Sequence, residues 1–276
     1  MTNIRAIKEL ENLAAEARAR IIMNSHKTKT PHLGSCLSCV DILIAMYFYK
    51  LKINPKEPKA ADRDRFILSK GHGAAALFQI LAMKGFYEES LLDNYGQNGS
   101  LFAEHPPAPD YLPGIEAATG SLGHGLPIGV GMALSSRVSS NEFNVYVLLG
   151  DGECNEGSIW EAATMSAAQK LTNLYVFVDA NKWQATDRSS DLVGSTNLKD
   201  KWEAFGWQSF EADGNNMESI VTLLDRDIEL KGPIAVILNT KKGAGVSFME
   251  DDNNWHYRIP TMEEVIKAFE QLGVEI

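Results

Sequence analysis

The spacing of apolar residues along the chain predicts an alternation of helices and buried strands. From residue 4 to about residue 28, apolar side chains recur three or four positions apart, which is the period of one helix face. Residues 145–149 and 174–178 are instead short, unbroken apolar runs, as expected of strands buried on both faces. The Ala-rich stretch 158–169 between them predicts a helix, and a strand–helix–strand unit of this kind has parallel strands.

The same patterns extend the alternation over the whole chain. Further strands are predicted at 66–68, 208–212 and 234–238. Further helices are predicted after a loop at 30–35 and ending near 50, after residue 73, from 125 to about 140, from 217 to about 230, and from Thr261, where a capping box begins. Residues 94–125 form a long irregular stretch, which is usually functional in a compact domain. The sequence therefore predicts an α/β fold, a parallel sheet with helices on both faces, in one domain over residues 1–276.

Composition narrows the range of partners. The chain has 276 residues, 45% of them hydrophobic, and a net charge of −10 without a basic face, so a nucleic-acid partner is not expected. The longest apolar run, residues 40–49, is too short to cross a bilayer, and the N-terminus lacks the apolar core of a signal peptide. We therefore expect no membrane association and a cytoplasmic location. Three cysteines offer no disulfide framework, and Cys36 and Cys39 open an apolar helical pattern that predicts structural burial.

Two polar residues follow the two apolar runs that flank the Ala-rich helix. Asp151 lies in Gly150-Asp151-Gly152 after the first run, and Asn181 follows the second. Parallel strands of one crossover unit end at the same edge of a sheet, so both side chains are expected to face one crevice. Carboxylate and amide oxygens suit Mg²⁺ or Ca²⁺ beside a diphosphate, whose oxygens the glycines allow to approach closely. In order and context the pair resembles the thiamine diphosphate motif, Gly-Asp-Gly followed later by Asn.

Most of the six histidines lie in predicted loops, where a rigid scaffold places reactive groups. These loop histidines are His32, His72, His105 and His256. Imidazole donates hydrogen bonds to phosphate oxygens and transfers protons near neutral pH. No two histidines are spaced as zinc ligands, so a zinc site is not expected.

Several motifs, taken in chain order, resemble the signatures of the transketolase family over residues 14–259. They are His32-Leu33-Gly34-Ser35-Cys36-Leu37-Ser38, the run from Asp62 through Ser69-Lys70-Gly71-His72, Leu112-Pro113-Gly114-Ile115-Glu116, Thr119-Gly120-Ser121-Leu122-Gly123, and Gly150-Asp151-Gly152. The resemblance implies a thiamine diphosphate-binding fold. It also implies an enzyme that transfers a two-carbon ketol unit from a ketose or ketose phosphate donor to an aldehyde acceptor.

Carried over position by position, the resemblance implies a role for each matching residue. The metal would be Mg²⁺, for which Ca²⁺ or Mn²⁺ can substitute, bound by Asp151, Asn181 and the main-chain oxygen of Trp183. The implied cofactor contacts are His72, Gly120, Ser121, Leu122, Gly152, Glu153, Asn181 and His256. His32 and His105 would contact the ketose hydroxyls, and His256 with His32 would transfer protons.

The chain departs from the family pattern near the implied pocket and in its length. Leu33, Ser35, the segment 184–188 and Tyr257 replace residues usual in the family, which puts the standard sugar-phosphate substrates in doubt. Nothing in the sequence resembles the family's pyrimidine-binding and C-terminal domains, the first of which carries its cofactor-activating glutamate. The resemblance therefore implies a second subunit, in an α2β2 assembly, that faces the Gly/Pro-rich loops and the helix at 127–136.

The sequence is also compatible with two other functions. The α-component of a 2-oxoacid dehydrogenase shares the Asp and Asn pair, although the loop histidines and Gly120-Ser121-Leu122-Gly123 favour a transketolase. A non-catalytic scaffold or regulatory subunit is the third possibility, and the presence of both metal ligands counts against it.

Overall fold

A five-stranded, entirely parallel sheet forms the centre of the computed structural model, which describes residues 4–139, 141–194 and 197–275. The strand order is β1-β2-β3-β5-β4. The strands are β1 (Arg65–Leu68), β2 (Val145–Gly150), β3 (Leu174–Ala180), β4 (Gln208–Asp213) and β5 (Ile234–Asn239). All five strands that the apolar patterns predict are present, and the parallel α/β fold is confirmed.

The helices have the following bounds in chain order. They are α1 (Ile4–Thr28), α2 (Leu33–Ser38), α3 (Val40–Ala45), α4 (Ala74–Lys84), α5 (Gly125–Ser139), α6 (Gly157–Ala168), α7 (Ser189–Val193), α8 (Leu198–Ala204), α9 (Met217–Leu224) and α10 (Met262–Leu272). A π-helical turn, Met46–Lys50, extends α3, and short 3₁₀ turns occupy Gly71–Gly73, Glu89–Asn94, Gly152–Asn155 and Asn253–His256.

Helices cover both faces of the sheet because successive strand residues point to opposite sides. Leu148, Phe177 and Val236 belong to one apolar cluster, which also contains buried residues of α1, α3, α4, α9 and α10. Val147 and Val176, their neighbours in the strands, belong to a second cluster with residues of α5 and α6. Both faces are thus buried, which explains why the central strands are continuous apolar runs.

Most predicted helices are present, but three boundaries were wrong. The helix predicted for 217–230 ends at Leu224, whose carbonyl accepts a hydrogen bond from Lys50 at 2.7 Å. The predicted loop 30–35 gives way to α2 already at Leu33, directly after His32 in a left-handed conformation (φ 74°). The predicted helix up to residue 50 is divided into α2, α3 and the π-helical turn. Helices α7 and α8 were not predicted, and Ser140, the predicted end of α5, lies outside the described residues.

Two smaller expectations concern cysteines and membranes. Cys36, Cys39 and Cys154 are free and buried, and burial raises the pKa of the Cys36 thiol to about 11, so the structural interpretation is confirmed. Among the described residues, no helix combines the length and apolar character needed to cross a bilayer.

The carboxyl ends of the strands position the chemically interesting residues. The loop after β1 contains Lys70 and His72, β2 leads to Asp151, β3 leads to Asn181, and β5 leads to Lys242. In open α/β sheets this edge is where ligands bind.

Candidate active site

Asp151 and Asn181 leave neighbouring strands at the same edge, as the strand pattern predicts. Gly150 of β2 pairs with Asp179 of β3, and the Asp151 amide donates to the Asp179 carbonyl at 3.2 Å. Burial raises the pKa of the Asp151 carboxyl to about 6. One of its oxygens accepts a hydrogen bond from Ser189 Oγ at 2.8 Å. Ser189 belongs to α7 and had no sequence pattern that pointed to this contact.

The side-chain amide of Asn181 is held in one orientation by two contacts. Its Nδ2 donates to Asp179 Oδ2 at 3.2 Å, and its Oδ1 accepts from the Trp183 amide at 3.1 Å. Between them, Lys182 adopts a left-handed conformation with φ 70°. The turn thereby brings the Trp183 main chain back toward the Asn181 oxygen.

An ion pair between Lys70 and Asp179 lies beneath these residues, completely buried. Ser38 and Thr240 also donate to the Asp179 carboxylate, and Lys70 Nζ donates to the Ser35 carbonyl at 2.9 Å. Burial by itself would raise the pKa of Asp179, but Lys70 and the hydroxyl donors hold it below its ordinary value. The pair therefore ties the ends of β1 and β3 together beneath the site. Sequence reasoning assigned it no role.

The four loop histidines converge although they come from four separate segments. The His32 ring centre lies 4.9 Å from that of His256, 6.0 Å from His72 and 6.2 Å from His105. The His32 amide also donates to the His256 carbonyl at 2.9 Å, which fixes the two loops against each other. The aromatic ring of Tyr257 lies 4.7 Å from His256, and the residue is 64% exposed.

Three of these rings are neutral at neutral pH. Burial, with His105 and Lys242 nearby, lowers the pKa of His32 to about 4. Burial, with Lys242 nearby, lowers the pKa of His256 to about 3, and burial lowers the pKa of His72 well below its usual value. His32 Nδ1 is buried without a hydrogen-bond partner in the described part of the chain. These three residues therefore present uncharged imidazoles, one of them with an unused polar atom.

The loop at 119–123 packs against the loop that carries His72. A Cβ on Gly71 would lie 2.7 Å from the Gly120 nitrogen, so the two main chains are in direct contact. Thr119 Oγ1 donates to the Leu68 carbonyl at 2.7 Å, which anchors the segment Gly120-Ser121-Leu122 to β1. The predicted cofactor contacts of these three residues stay predictions.

Glu153 is buried, and its carboxylate is already occupied within the protein. It accepts hydrogen bonds from the Gly123 amide at 2.9 Å, the Gly150 amide at 3.1 Å and the Ser69 hydroxyl. Burial raises the pKa of this carboxyl. Glu153 thus connects the loops that follow β1 and β2 with the 119–123 loop. Its predicted contact with the cofactor stays a prediction, as does that of Gly152, which opens the 3₁₀ turn after Asp151.

Lys242 is a further buried residue that sequence reasoning missed. Its ammonium lies 3.2 Å from His256 Nδ1 and 2.6 Å from Asn253 Oδ1. Burial, with Lys70 nearby, lowers the pKa of Lys242 to about 8. The available signal was a pair of adjacent lysines shortly after an apolar strand, at the sheet edge where ligands bind.

The residues at the strand ends fit a hard divalent cation bound together with a phosphate ligand. Asp151 supplies a carboxylate, and Asn181 and Trp183 supply neutral oxygens at the same edge. Mg²⁺ is commonly held by one or two carboxylates together with ligand phosphates. Among the described residues, no group of three or more His, Cys, Asp or Glu side chains could hold a metal by itself. The donor set therefore suits a metal that shares its coordination with a diphosphate.

Comparison with known proteins gives matches over nearly the whole chain. Residues 10–276 match the family "Transketolase, thiamine diphosphate binding domain". The chain is 39% identical to a subunit of the apulose-4-phosphate transketolase of Phocaeicola vulgatus, covering 98% of this chain and 96% of that one. It is 42% identical to the subunit of the same name from Actinobacillus succinogenes, covering 97% of each.

The fold is also similar to a solved enzyme of greater length. The transketolase of Campylobacter jejuni superposes with a TM-score of 0.86 at 29% identity. The match covers 99% of this chain and 44% of that one, so the chain spans less than half of the solved protein.

Proposed function

The chain belongs to the transketolase family, and we propose that it acts as one subunit of a thiamine diphosphate-dependent transketolase. This enzyme transfers a two-carbon ketol unit from a ketose donor to an aldehyde acceptor. The observation that carries the proposal is the placement of Asp151 and Asn181 at adjacent strand ends, close to four converging histidines. Within the family, the Asp and the Asn serve the diphosphate end of the cofactor, and the histidines serve both the diphosphate and the ketose.

The metal would be Mg²⁺, bound by Asp151, Asn181 Oδ1 and the Trp183 carbonyl. Two features of the chain support this assignment. Asp179 holds the nitrogen of the Asn181 amide at 3.2 Å, and the oxygen, which accepts one hydrogen bond from the Trp183 amide, keeps a second lone pair for a ligand. The Asp151 carboxylate accepts from Ser189 and from the Gly152 amide, and its two oxygens still have lone pairs for a cation.

The histidine cluster would bind the cofactor and the donor sugar. Thiamine diphosphate, when bound, supplies the carbon nucleophile that cleaves the ketose. His72 and His256 would donate to the diphosphate, because neutral imidazoles are hydrogen-bond donors at one ring nitrogen. His32 and His105 would contact the ketose hydroxyls, and the unused Nδ1 of His32 is consistent with a polar ligand there.

A second polypeptide would complete the site. Two relatives are named as subunits of a transketolase, and the solved transketolase is more than twice as long as this chain. The partner would supply the pyrimidine-binding and C-terminal domains, and an α2β2 assembly is the arrangement we propose. The outer surface of α5, where Ile128 is 38% exposed, is the face that we assign to it.

The decisive experiment is a reconstitution. The chain is combined with the polypeptide encoded next to it, thiamine diphosphate and MgCl₂. Transfer of glycolaldehyde to aldoses is then measured from hydroxypyruvate, xylulose 5-phosphate and apulose 4-phosphate. The last belongs in the panel because the two relatives described above carry it in their names. We expect transfer from at least one ketose donor, and none when either polypeptide is omitted.

The same mixtures separate the competing functions. Release of CO₂ from 2-oxoacids with transfer to lipoamide would identify a 2-oxoacid dehydrogenase component instead. Cofactor binding without turnover on any donor would identify a scaffold. The Asp151→Ala chain serves as the negative control, because it removes the only carboxylate of the proposed metal site.

A further inference from the structure

The ammonium of Lys242 has three hydrogen-bond acceptors around it. These are His256 Nδ1 at 3.2 Å, Asn253 Oδ1 at 2.6 Å and the Gln184 carbonyl at 3.3 Å. A protonated lysine has three N–H donors and no acceptor, so each hydrogen has one partner. The side chain is 1% exposed and has no free hydrogen to offer a ligand.

The direction of the contact with His256 fixes the state of the imidazole. Because the ammonium can only donate, Nδ1 must accept and cannot carry a hydrogen. The hydrogen of the neutral ring is then on Nε2. An imidazolium would carry hydrogens on both nitrogens and would place two donors and two positive charges against each other.

We propose that Lys242 is a positioning residue that holds His256 in the Nε2–H tautomer, so that His256 donates a hydrogen bond to a bound ligand oxygen and does not act as the base. Whether that oxygen belongs to the diphosphate or to the ketose rests on the proposed function. The assignment of the tautomer does not depend on that function. Nε2 has no acceptor among the described residues, and its N–H is therefore available. Another group of the histidine cluster then accepts the proton from the substrate.

The surroundings hold the Lys242 side chain in place. A Cβ on Gly34 would lie 3.0 Å from Lys242 Cγ, so a larger residue at this position in α2 would press on the lysine stem. The Gly243 amide donates to the Gly34 carbonyl at 2.9 Å, and the Lys242 carbonyl accepts from the Asp251 amide at 2.8 Å. The main chain on both sides of the lysine is therefore fixed to neighbouring segments.

The charged and titratable groups that face His256 favour its neutral form. Lys242 after β5, Lys70 after β1 and His32 before α2 all disfavour a positive charge on the ring, in addition to burial. The other neighbouring rings are His72 and Tyr257. Burial and the groups after β5, after β1 and before α2 therefore all favour the neutral form of His256.

The test is NMR of the full chain labelled with ¹⁵N in histidine, without cofactor or partner. Long-range ¹H–¹⁵N spectra distinguish the two neutral tautomers, and a His256→Gln spectrum identifies the His256 signals. We expect the wild-type pattern with hydrogen on Nε2 and an unprotonated Nδ1, unchanged between pH 7 and pH 6, where Lys242 is mainly an ammonium. A hydrogen on Nδ1 would overturn the proposal.

Substitutions then test the role of the lysine. Lys242→Met removes the donor, and we expect mixed tautomers of His256 and a titration midpoint that rises toward 6.5. Lys241→Met is the matched control, because Lys241 is exposed and pairs with Glu250. Lys242→Arg retains a donor-only group and should keep the Nε2–H pattern even if Lys242→Met does not fold. Unchanged His256 signals in folded Lys242→Met, or a switch to Nδ1–H in Lys242→Arg, would contradict the positioning role.

The measurement is independent of catalysis. Failure of the reconstitution assay would leave the tautomer result standing, and a hydrogen on Nδ1 would leave the transketolase proposal intact. The two proposals can therefore fail separately.

Discussion

Asn181 donates its side-chain N–H to Asp179, two residues earlier in the chain, at 3.2 Å. The same carboxylate forms the completely buried ion pair with Lys70. One group thus orients a proposed metal ligand and neutralises a buried lysine at the same time. In metal sites, mutation of such a partner of a ligand typically lowers metal affinity about 10–100-fold.

Asp179→Asn should be strongly destabilising. Removing one partner of a buried ion pair leaves the other charge uncompensated, which costs about 3–5 kcal/mol. Urea denaturation of the isolated chain measures the change. Asp110→Asn, at an exposed position, is the control and should stay within about 0.5 kcal/mol of wild type. A loss below about 1 kcal/mol would indicate that Lys70 finds another partner or is neutral.

Asp151→Asn should abolish the metal dependence of thiamine diphosphate binding. The substitution keeps the size of the side chain but removes the only carboxylate of the proposed set. We expect affinity in the presence of Mg²⁺ to fall at least about 100-fold, beyond what outer partners of a metal contribute. Calorimetric titration with MgCl₂ and with EDTA measures this. Asp200→Asn, exposed on α8, should bind as wild type does. Equal affinity of Asp151→Asn with and without Mg²⁺, at the wild-type level, would remove Asp151 from the metal site.

Gly71→Ala should separate the loop of His72 from the loop at 119–123. The added Cβ would lie 2.7 Å from the Gly120 nitrogen and 2.8 Å from the Thr119 carbonyl carbon, so one main chain must move. Overpacking of this kind costs about 1–3 kcal/mol. Thermal denaturation of the variant gives the value. Gly157→Ala, where a Cβ meets nothing within 4 Å, is the matched control. Equal melting temperatures of the two variants would show that the main chains at Gly71 and Gly120 can move apart without loss of stability.

The chain should lose stability as the pH falls below about 6.5, and His72 should contribute to the loss. Burial lowers the pKa of His72 in the folded chain. At a pH below the ordinary pKa of histidine, about 6.5, the His72 ring is protonated in the unfolded state but not in the folded state. The free energy of unfolding therefore decreases as the pH falls. The contribution of one such group is at most about 1.4 kcal/mol per pH unit.

Urea denaturation between pH 7.5 and pH 5 measures this effect. His72→Asn should show a shallower pH dependence than wild type, whereas His124→Asn, at an exposed ring, should retain the wild-type slope. Burial raises the pKa of Asp151, so protonation of this carboxyl stabilises the folded state as the pH falls over part of this range. Comparing the variants separates the contribution of His72 from this opposite effect. Identical slopes for all three proteins would contradict the buried, neutral state of His72.

Gly131→Arg should leave the fold intact but weaken association with the proposed partner chain. Gly131 lies on the outer surface of α5, where an added Cβ meets nothing within 4 Å, so the chain itself can accommodate a side chain. We expect at least about a tenfold loss of affinity, or about 1.4 kcal/mol. Analytical ultracentrifugation of the two polypeptides mixed together measures it. Thr222→Arg on α9 places the same group on another helix and should have no effect. Wild-type affinity of Gly131→Arg would exclude this face.

The apolar pattern of the chain was enough to predict the sheet and the place of its polar edge. Buried parallel strands are continuous apolar runs, and their carboxyl ends must meet at one edge, so Asp151 and Asn181 could be brought together from their positions alone. The convergence of the histidines followed from family motifs, since no local periodicity relates His32 to His256. Helix boundaries were less predictable where a distant side chain ends the helix, as Lys50 does at Leu224.

The pairing of the charged groups at that edge could not be predicted and is set by the folding of distant segments against each other. Lys70 and Asp179 are 109 positions apart, and no sequence pattern couples residues at such a distance. Glu153 follows the Asp of the motif closely, yet its carboxylate bonds to main-chain amides within the protein. Lys242 is buried whereas Lys241 is exposed, a distinction that depends on the space beside Gly34. Protonation states depend on burial and on neighbouring charges, and both are properties of packing, which the order of residues does not display.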